Sequence, residues 1–173
     1  QNKHECAFRH AAQFGERVAA ACGTPASVRG CYDPRVPTRA SLMAFSAETC
    51  VAMHIGNRAE QQDRASLFAH PKRPGMMMAV LADGMGGHSG GAMAAEQVII
   101  RAKQNFESYA PLHEAPQELL SSIIDEAHTI IKLTRFTSEK DPHSTAVTFL
   151  LQQGKAYWAH CGDSRLYYFR DTQ

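Results

Sequence analysis

From about residue 48 onward, the hydrophobic pattern switches between two periods. Thr49 to Ile55 alternates apolar and polar positions, which predicts a strand. Ser66 to Ala69 predicts a second, short strand ended by the Pro71–Gly75 turn. Met76 to Ala82 is apolar throughout, so it is expected to be a strand covered on both faces. The period then lengthens. Ala95, Val98, Ile99, Ala102 and Phe106 fall on one stripe and predict a helix from Gly91 to Tyr109. Pro111 and Pro116 separate it from a second helix, about Gln117 to Phe136, where Leu119, Leu120, Ile123, Ile124, Ala127, Ile130 and Ile131 form a broad apolar face. Thr145–Leu151 and Ala156–His160 read as strands joined by a hairpin at Gln152-Gln153-Gly154-Lys155, and Leu166–Phe169 as a last strand. Upstream, Cys6, Ala7, His10, Ala11, Phe14 and Val18 share one side of a helix within residues 1–22. Gly23, Pro25, Gly30, Pro34 and Pro37 then break regular structure until about Ala44.

Strands, two helices and strands again predict an α+β fold with helices on one face of an antiparallel sheet. Two regions are expected: residues 1–45, an extension or linker, and residues 46–173, the folded part. Composition narrows the partners. With 173 residues, 20% charged and 44% hydrophobic, the chain is ordinary for a soluble globular protein. A formal charge of +1 gives no global field toward nucleic acid or a membrane surface. No apolar run is long enough to span a bilayer, and residues 1–22 lack the apolar centre of a secretory signal. Because the chain begins at Gln1, its start is read as processed or truncated. Five cysteines with no Cys-x-x-Cys pair argue against a disulfide framework and fit a reducing cytoplasm. Cys50 and Cys161 read as small core residues. His4, Cys6, His10, Cys22 and Cys31 match no standard zinc spacing. Methionines 76, 77 and 78 read as core, and His54, His70, His143 and His160 as structural or surface residues.

Chemistry concentrates in three places. Val80-Leu81-Ala82-Asp83-Gly84-Met85-Gly86-Gly87-His88-Ser89-Gly90-Gly91 delivers one carboxylate from an apolar strand into a glycine-rich turn before a helix. An acid at a buried strand end is costly unless it is paired or holds a metal. Upstream lies Gly56-Asn57-Arg58-Ala59-Glu60-Gln61-Gln62-Asp63, and downstream Cys161-Gly162-Asp163-Ser164-Arg165. Three acids at three strand ends, with an arginine, suit metal-assisted phosphoryl transfer: hard dications take oxygen ligands, and a guanidinium fork fits phosphate.

Taken in order, these segments and Ser144-Thr145-Ala146 resemble the metal-dependent serine/threonine protein phosphatases of type 2C, in the bacterial style. The family pattern R-x-x-N-[EQ]-D, D-G-M-G-G-H-x-x-G, a threonine-bearing strand and G-D-S-R appears as Arg58–Asp63, Asp83–Gly91, Ser144–Ala146 and Gly162–Arg165. The resemblance covers residues 48–171 and implies an antiparallel β-sandwich flanked by helix pairs. The family's later D-G and D-N motifs, each bearing a metal aspartate, have no counterpart, so the resemblance is to the N-terminal half of the catalytic domain. It implies two Mn²⁺ or Mg²⁺ ions, bridged by Asp83, with the Gly84 carbonyl and Asp63 as further ligands and Asp163 at a third, weaker ion. It implies that Arg58 clamps the substrate phosphate and that His88 protonates the leaving alkoxide. The implied partners are phosphoproteins and a cognate serine/threonine kinase, with no nucleic acid or membrane. The chain alone, with unfinished sheets, is expected to be inactive and to self-associate.

Each residue also has a plainer reading. Asp83 and His88 could be turn residues, Asp63 a solvated acid, Arg58 a surface side chain, and Asp163 with Arg165 a pair fixing the hairpin. Gln61 and Gln62 depart from the commoner Asn and Glu of the family, and Ala92 and Ala95 from Glu and Ser. Gln62 brings no charge to the site. Two alternatives to an active enzyme therefore stand: a non-catalytic regulatory or binding module, and an inactive fragment of a longer active enzyme.

Overall fold

The computed structural model describes residues 7–13, 47–86, 90–134 and 141–169. Its main layer is a five-stranded antiparallel sheet in the order β1-β7-β6-β3-β2. The strands are β1 (Ala7–Gln13), β2 (Arg64–Ala69), β3 (Met77–Ala82), β6 (Ala146–Gln152) and β7 (Lys155–Cys161). A two-stranded ladder pairs β4 (Gly84–Met85) with β5 (His143–Ser144). Two helices, α1 (Gly90–Ser108) and α2 (Pro116–Thr134), lie between β4 and β5 in the chain. The fold is α+β, as the sequence predicts.

The core lies between the sheet and the helix pair. Met78, Val80 and Ala82 of β3, Leu150 of β6 and Ala159 of β7 meet Ala95, Val98, Ala102 and Phe106 of α1 and Leu119, Leu120, Ile123 and Ala127 of α2. Pro116 sits at the first helical position of α2, where its missing N–H costs nothing. Glu118 reaches back to accept the Ala115 N–H at 2.9 Å and completes the cap. At the β6–β7 hairpin, Gln153 and Gly154 both take positive φ, 50° and 71°, the turn that matches strand twist.

The other sheet face is less covered. Strand register places Leu67, Ala79, Phe149 and Trp158 side by side across β2, β3, β6 and β7. Leu81, on the same face as Ala79, is 43% exposed. β3 therefore buries one face, not both as its continuous apolar run suggested.

Three further expectations are corrected. Residues 7–13 form a strand against β7 rather than part of a helix; pairing with an available sheet edge outweighs the local helical spacing. Thr49–Ile55 and Leu166–Phe169 are not strands. Among the described residues, no helix is long and apolar enough to cross a membrane. Met76 and Met78 are core, as expected. Cys161 packs partly buried against the core, whereas Cys50 stands outside any strand.

Candidate functional site

Antiparallel pairing brings the motif segments to one end of the sheet. Arg64 pairs with Ala82, Leu81 with Val147, and Ala146 with Cys161. Asp63 enters β2, Asp83 leaves β3, Thr145 enters β6 and Gly162-Asp163 leaves β7, so all four belong to the same sheet end.

Thr145 ties these segments together. Its Oγ1 accepts the Asp83 N–H at 3.0 Å, and its own N–H donates to the Asp83 carbonyl at 2.9 Å. The same Oγ1 shares a hydrogen bond with Ser164 Oγ at 2.7 Å. Ser144 Oγ also donates to the Asp83 carbonyl, at 3.3 Å. The backbone of Asp83 is therefore held on both sides independently of its carboxyl.

The turn after Asp83 needs glycine at two points. A β-carbon on Gly84 would collide with the Gly91 carbonyl and stand 2.8 Å from the Gln62 carbonyl oxygen. A β-carbon on Gly91 would lie 2.5 Å from Gln62 Oε1. The Gln62 loop, the Asp83-Gly84 turn and the start of α1 thus touch backbone to backbone, as only glycine permits.

The electrostatics agree with the packing. Desolvation raises the Asp83 carboxyl above the usual carboxylate range. Repulsion from Asp63, a hydrogen bond shared with it and repulsion from Asp163 raise it further, while the Arg58 guanidinium acts in the opposite direction. Asp63, Asp163 and Arg58 thus all act on the Asp83 carboxyl. Asp163 does not pair with Arg165; that guanidinium donates to the Tyr167 hydroxyl at 3.3 Å. His88 lies outside the described residues, as do Cys6, Cys22 and Cys31.

The donor set is all oxygen, and a cation between Asp63 and Asp83 would relieve the repulsion on Asp83, so the residues present fit a hard dication. The fit is partial. Among the described residues, no group of three or more His, Cys, Asp or Glu side chains could hold an ion by itself. Carbonyls, water or further acids would have to complete the shell.

Two contributors escape sequence reasoning. Arg64 Nε donates to Glu96 Oε2 at 2.9 Å, and Arg64 Nη1 donates to the carbonyls of Gln61 and Asp63, each at 2.9 Å. Arg64 stands next to a motif acid, which is a weak signal; Glu96 is 32 residues away and gives none. The second is Thr145, visible in the motif but without a role until its hydrogen bonds are seen.

Known proteins are similar to this chain. A protein of Streptococcus pyogenes serotype M6, named for the protein phosphatase 2C type, is 30% identical over 111 residues, which make up 63% of this chain and 44% of that protein. The solved structure of the S. agalactiae serine/threonine phosphatase is 27% identical, covering 54% of this chain and 39% of that one with a TM-score of 0.46. The chain thus spans less than half the length of the curated relative it matches. The family model for protein phosphatase 2C matches residues 50–173, most of the chain, and the chain belongs to that family.

Proposed function

We propose that residues 46–173 form the N-terminal half of a catalytic domain that hydrolyses phosphoserine and phosphothreonine in proteins, and that residues 1–45 are an extension. The observation that carries this reading is that strand register brings the segments bearing Asp63, Asp83 and Asp163 to one end of the sheet, where the two other acids push the Asp83 carboxyl up and Arg58 pulls it down. In this reading Asp83, Asp63 and the Gly84 carbonyl hold two Mn²⁺ or Mg²⁺ ions, and Asp163 serves a third, more weakly held. Bound there, the ions would lower the pKa of a water and neutralise charge on the phosphoryl group. Arg58, an exposed side chain, binds and orients the phosphate through its planar fork. His88 delivers a proton to the departing serine or threonine oxygen. Thr145 keeps Asp83 in register through its paired backbone bonds. The substrates are phosphoproteins, a partner serine/threonine kinase among them. The unbridged Cys161 thiol suits a cytoplasmic setting.

A second reading, a regulatory module of the same fold without turnover, is favoured by one observation: among the described residues no group of three or more His, Cys, Asp or Glu side chains is placed to hold an ion. Phosphate release from a phosphopeptide by the full-length protein, with and without Mn²⁺, separates the two. Turnover that requires Mn²⁺ is expected; binding of the phosphopeptide without release at any metal concentration would favour the module.

A further inference from the structure

We propose that Arg64 is a positioning residue whose guanidinium straps the Asp63 loop to helix α1 and so fixes Asp63 relative to Asp83. The proposal rests on the reading of these two acids as metal ligands. Arg64 opens β2 directly after Asp63, and it engages three acceptors at once. Nε reaches Glu96 Oε2, and Nη1 reaches the carbonyls of residues 61 and 63, which flank Gln62. One planar cation thus curls the loop and anchors it to the helix.

The loop needs such an anchor. Residues 49–63 contain no strand, and residues 51–60 are exposed. The Asp63 N–H donates to Gln61 Oε1 at 3.1 Å, a local bond that ties the loop only to itself. Asp83 is different: bonds to Thr145 hold its backbone on both sides. When two like charges are drawn together, the less restrained partner gives way, and that partner is Asp63. Glu96 is a suitable anchor because α1 is already registered to Asp83. The helix begins at the Gly91–Gly84 contact, one residue beyond the acid, and Glu96 lies between one and two turns along it.

The strap contributes to placement more than to folding. The two side chains are 31% and 48% exposed, and ion pairs so open to solvent add little to global stability. A lysine at position 64 would keep the charge but not the fork, so it could not span a carboxylate and two carbonyls together.

The test uses the full-length protein and the variants Arg64→Ala, Arg64→Lys, Glu96→Ala and Arg64→Ala/Glu96→Ala. Amide hydrogen exchange at Asp63, Mn²⁺ affinity by calorimetry and the thermal midpoint are read for each. Arg64→Ala is expected to speed exchange at Asp63 and to weaken Mn²⁺ binding about 10-fold or more, the usual loss when an outer partner of a metal site goes. Arg64→Lys should lose nearly as much, the double variant no more than Arg64→Ala, and the thermal midpoint should hold in all four. Unchanged exchange and unchanged affinity in Arg64→Ala would overturn the strap, as would full recovery by Arg64→Lys. If the wild-type protein takes up no Mn²⁺, the metal reading fails, and the exchange rate at Asp63 alone decides the strap.

Discussion

At Asp83, a single carboxyl works against the stability of the fold. Burial and the neighbouring acids raise its carboxyl above the ordinary range. The sign follows from linkage. A carboxyl whose folded-state pKa is raised stabilises the fold fully below its unfolded pKa and loses that contribution as pH rises through the folded value. At neutral pH the ionised group therefore works against the metal-free fold. Asp83→Asn is expected to unfold at higher urea than wild type at neutral pH without metal, with the difference closing near about pH 3, where ordinary carboxyls are protonated. The same variant should lose Mn²⁺-dependent phosphate release in the full-length protein. Equal urea midpoints at both pH values would show that Asp83 is only a turn residue. Arg58 makes the complementary case. Exposed and near the acids, it offsets part of the rise at Asp83 and is expected to act mainly on the phosphate. Arg58→Ala should raise KM for a phosphopeptide by about 10- to 100-fold, the worth of one charge-assisted hydrogen bond at 1.5–3 kcal/mol, and lower kcat far less. Steady-state kinetics check this, and an unchanged KM would make Arg58 a surface residue.

At the scale of elements, what the sequence reveals depends on how local the cause is. The stripes on α1 and α2 are legible because five to seven apolar residues at helical spacing each need one common face, and the structure buries those faces together. The motif acids are equally legible, since strand ends and glycine turns are local features and antiparallel pairing then carries them to one end. Residues 7–13 are not: Ala7-Phe8-Arg9-His10-Ala11 alternates loosely enough to suit either period, and a β7 edge more than 140 residues away decides in favour of a strand. Thr49–Ile55 has the right alternation yet forms no strand, so alternation by itself does not decide. The Arg64–Glu96 tie depends on a loop and a helix meeting, which no spacing encodes. The core between these elements carries a definite energetic expectation. Phe106 is fully buried on α1, with His70 edge-on to its ring at 5.1 Å. Truncation to alanine should cost about 3–5 kcal/mol, as for other buried aromatics, measured by denaturant unfolding. A cost below about 1 kcal/mol, the range of surface substitutions, would mean that the helix layer is not packed as described.

For the molecule as a whole, the two sheet faces are unequal, and that inequality bears on what the chain does by itself. The helix pair seals one face. On the other, Leu67, Ala79, Phe149 and Trp158 run across four strands, and Leu81 beside them is 43% exposed. Exposed Tyr167, Tyr168 and Phe169 add apolar surface, at 65%, 54% and 85%. Large apolar side chains this exposed are unfavourable in water and favour association. The site is open in the same sense. Asp63 and Asp83 supply two close carboxyls, whereas a hard dication takes about six or more oxygen ligands. The chain also spans only 44% of the length of its streptococcal relative. The 173-residue chain expressed alone is therefore expected to elute from a sizing column ahead of a 19.0 kDa monomer. It should bind Mn²⁺ weakly and release no phosphate from a phosphopeptide. If residues 46–173 are half of a catalytic domain, as proposed, a longer protein that supplies the other half should be monomeric, bind Mn²⁺ tightly and release phosphate. A monodisperse monomer that binds Mn²⁺ at micromolar concentration and turns over substrate would mean that these residues already make a whole site.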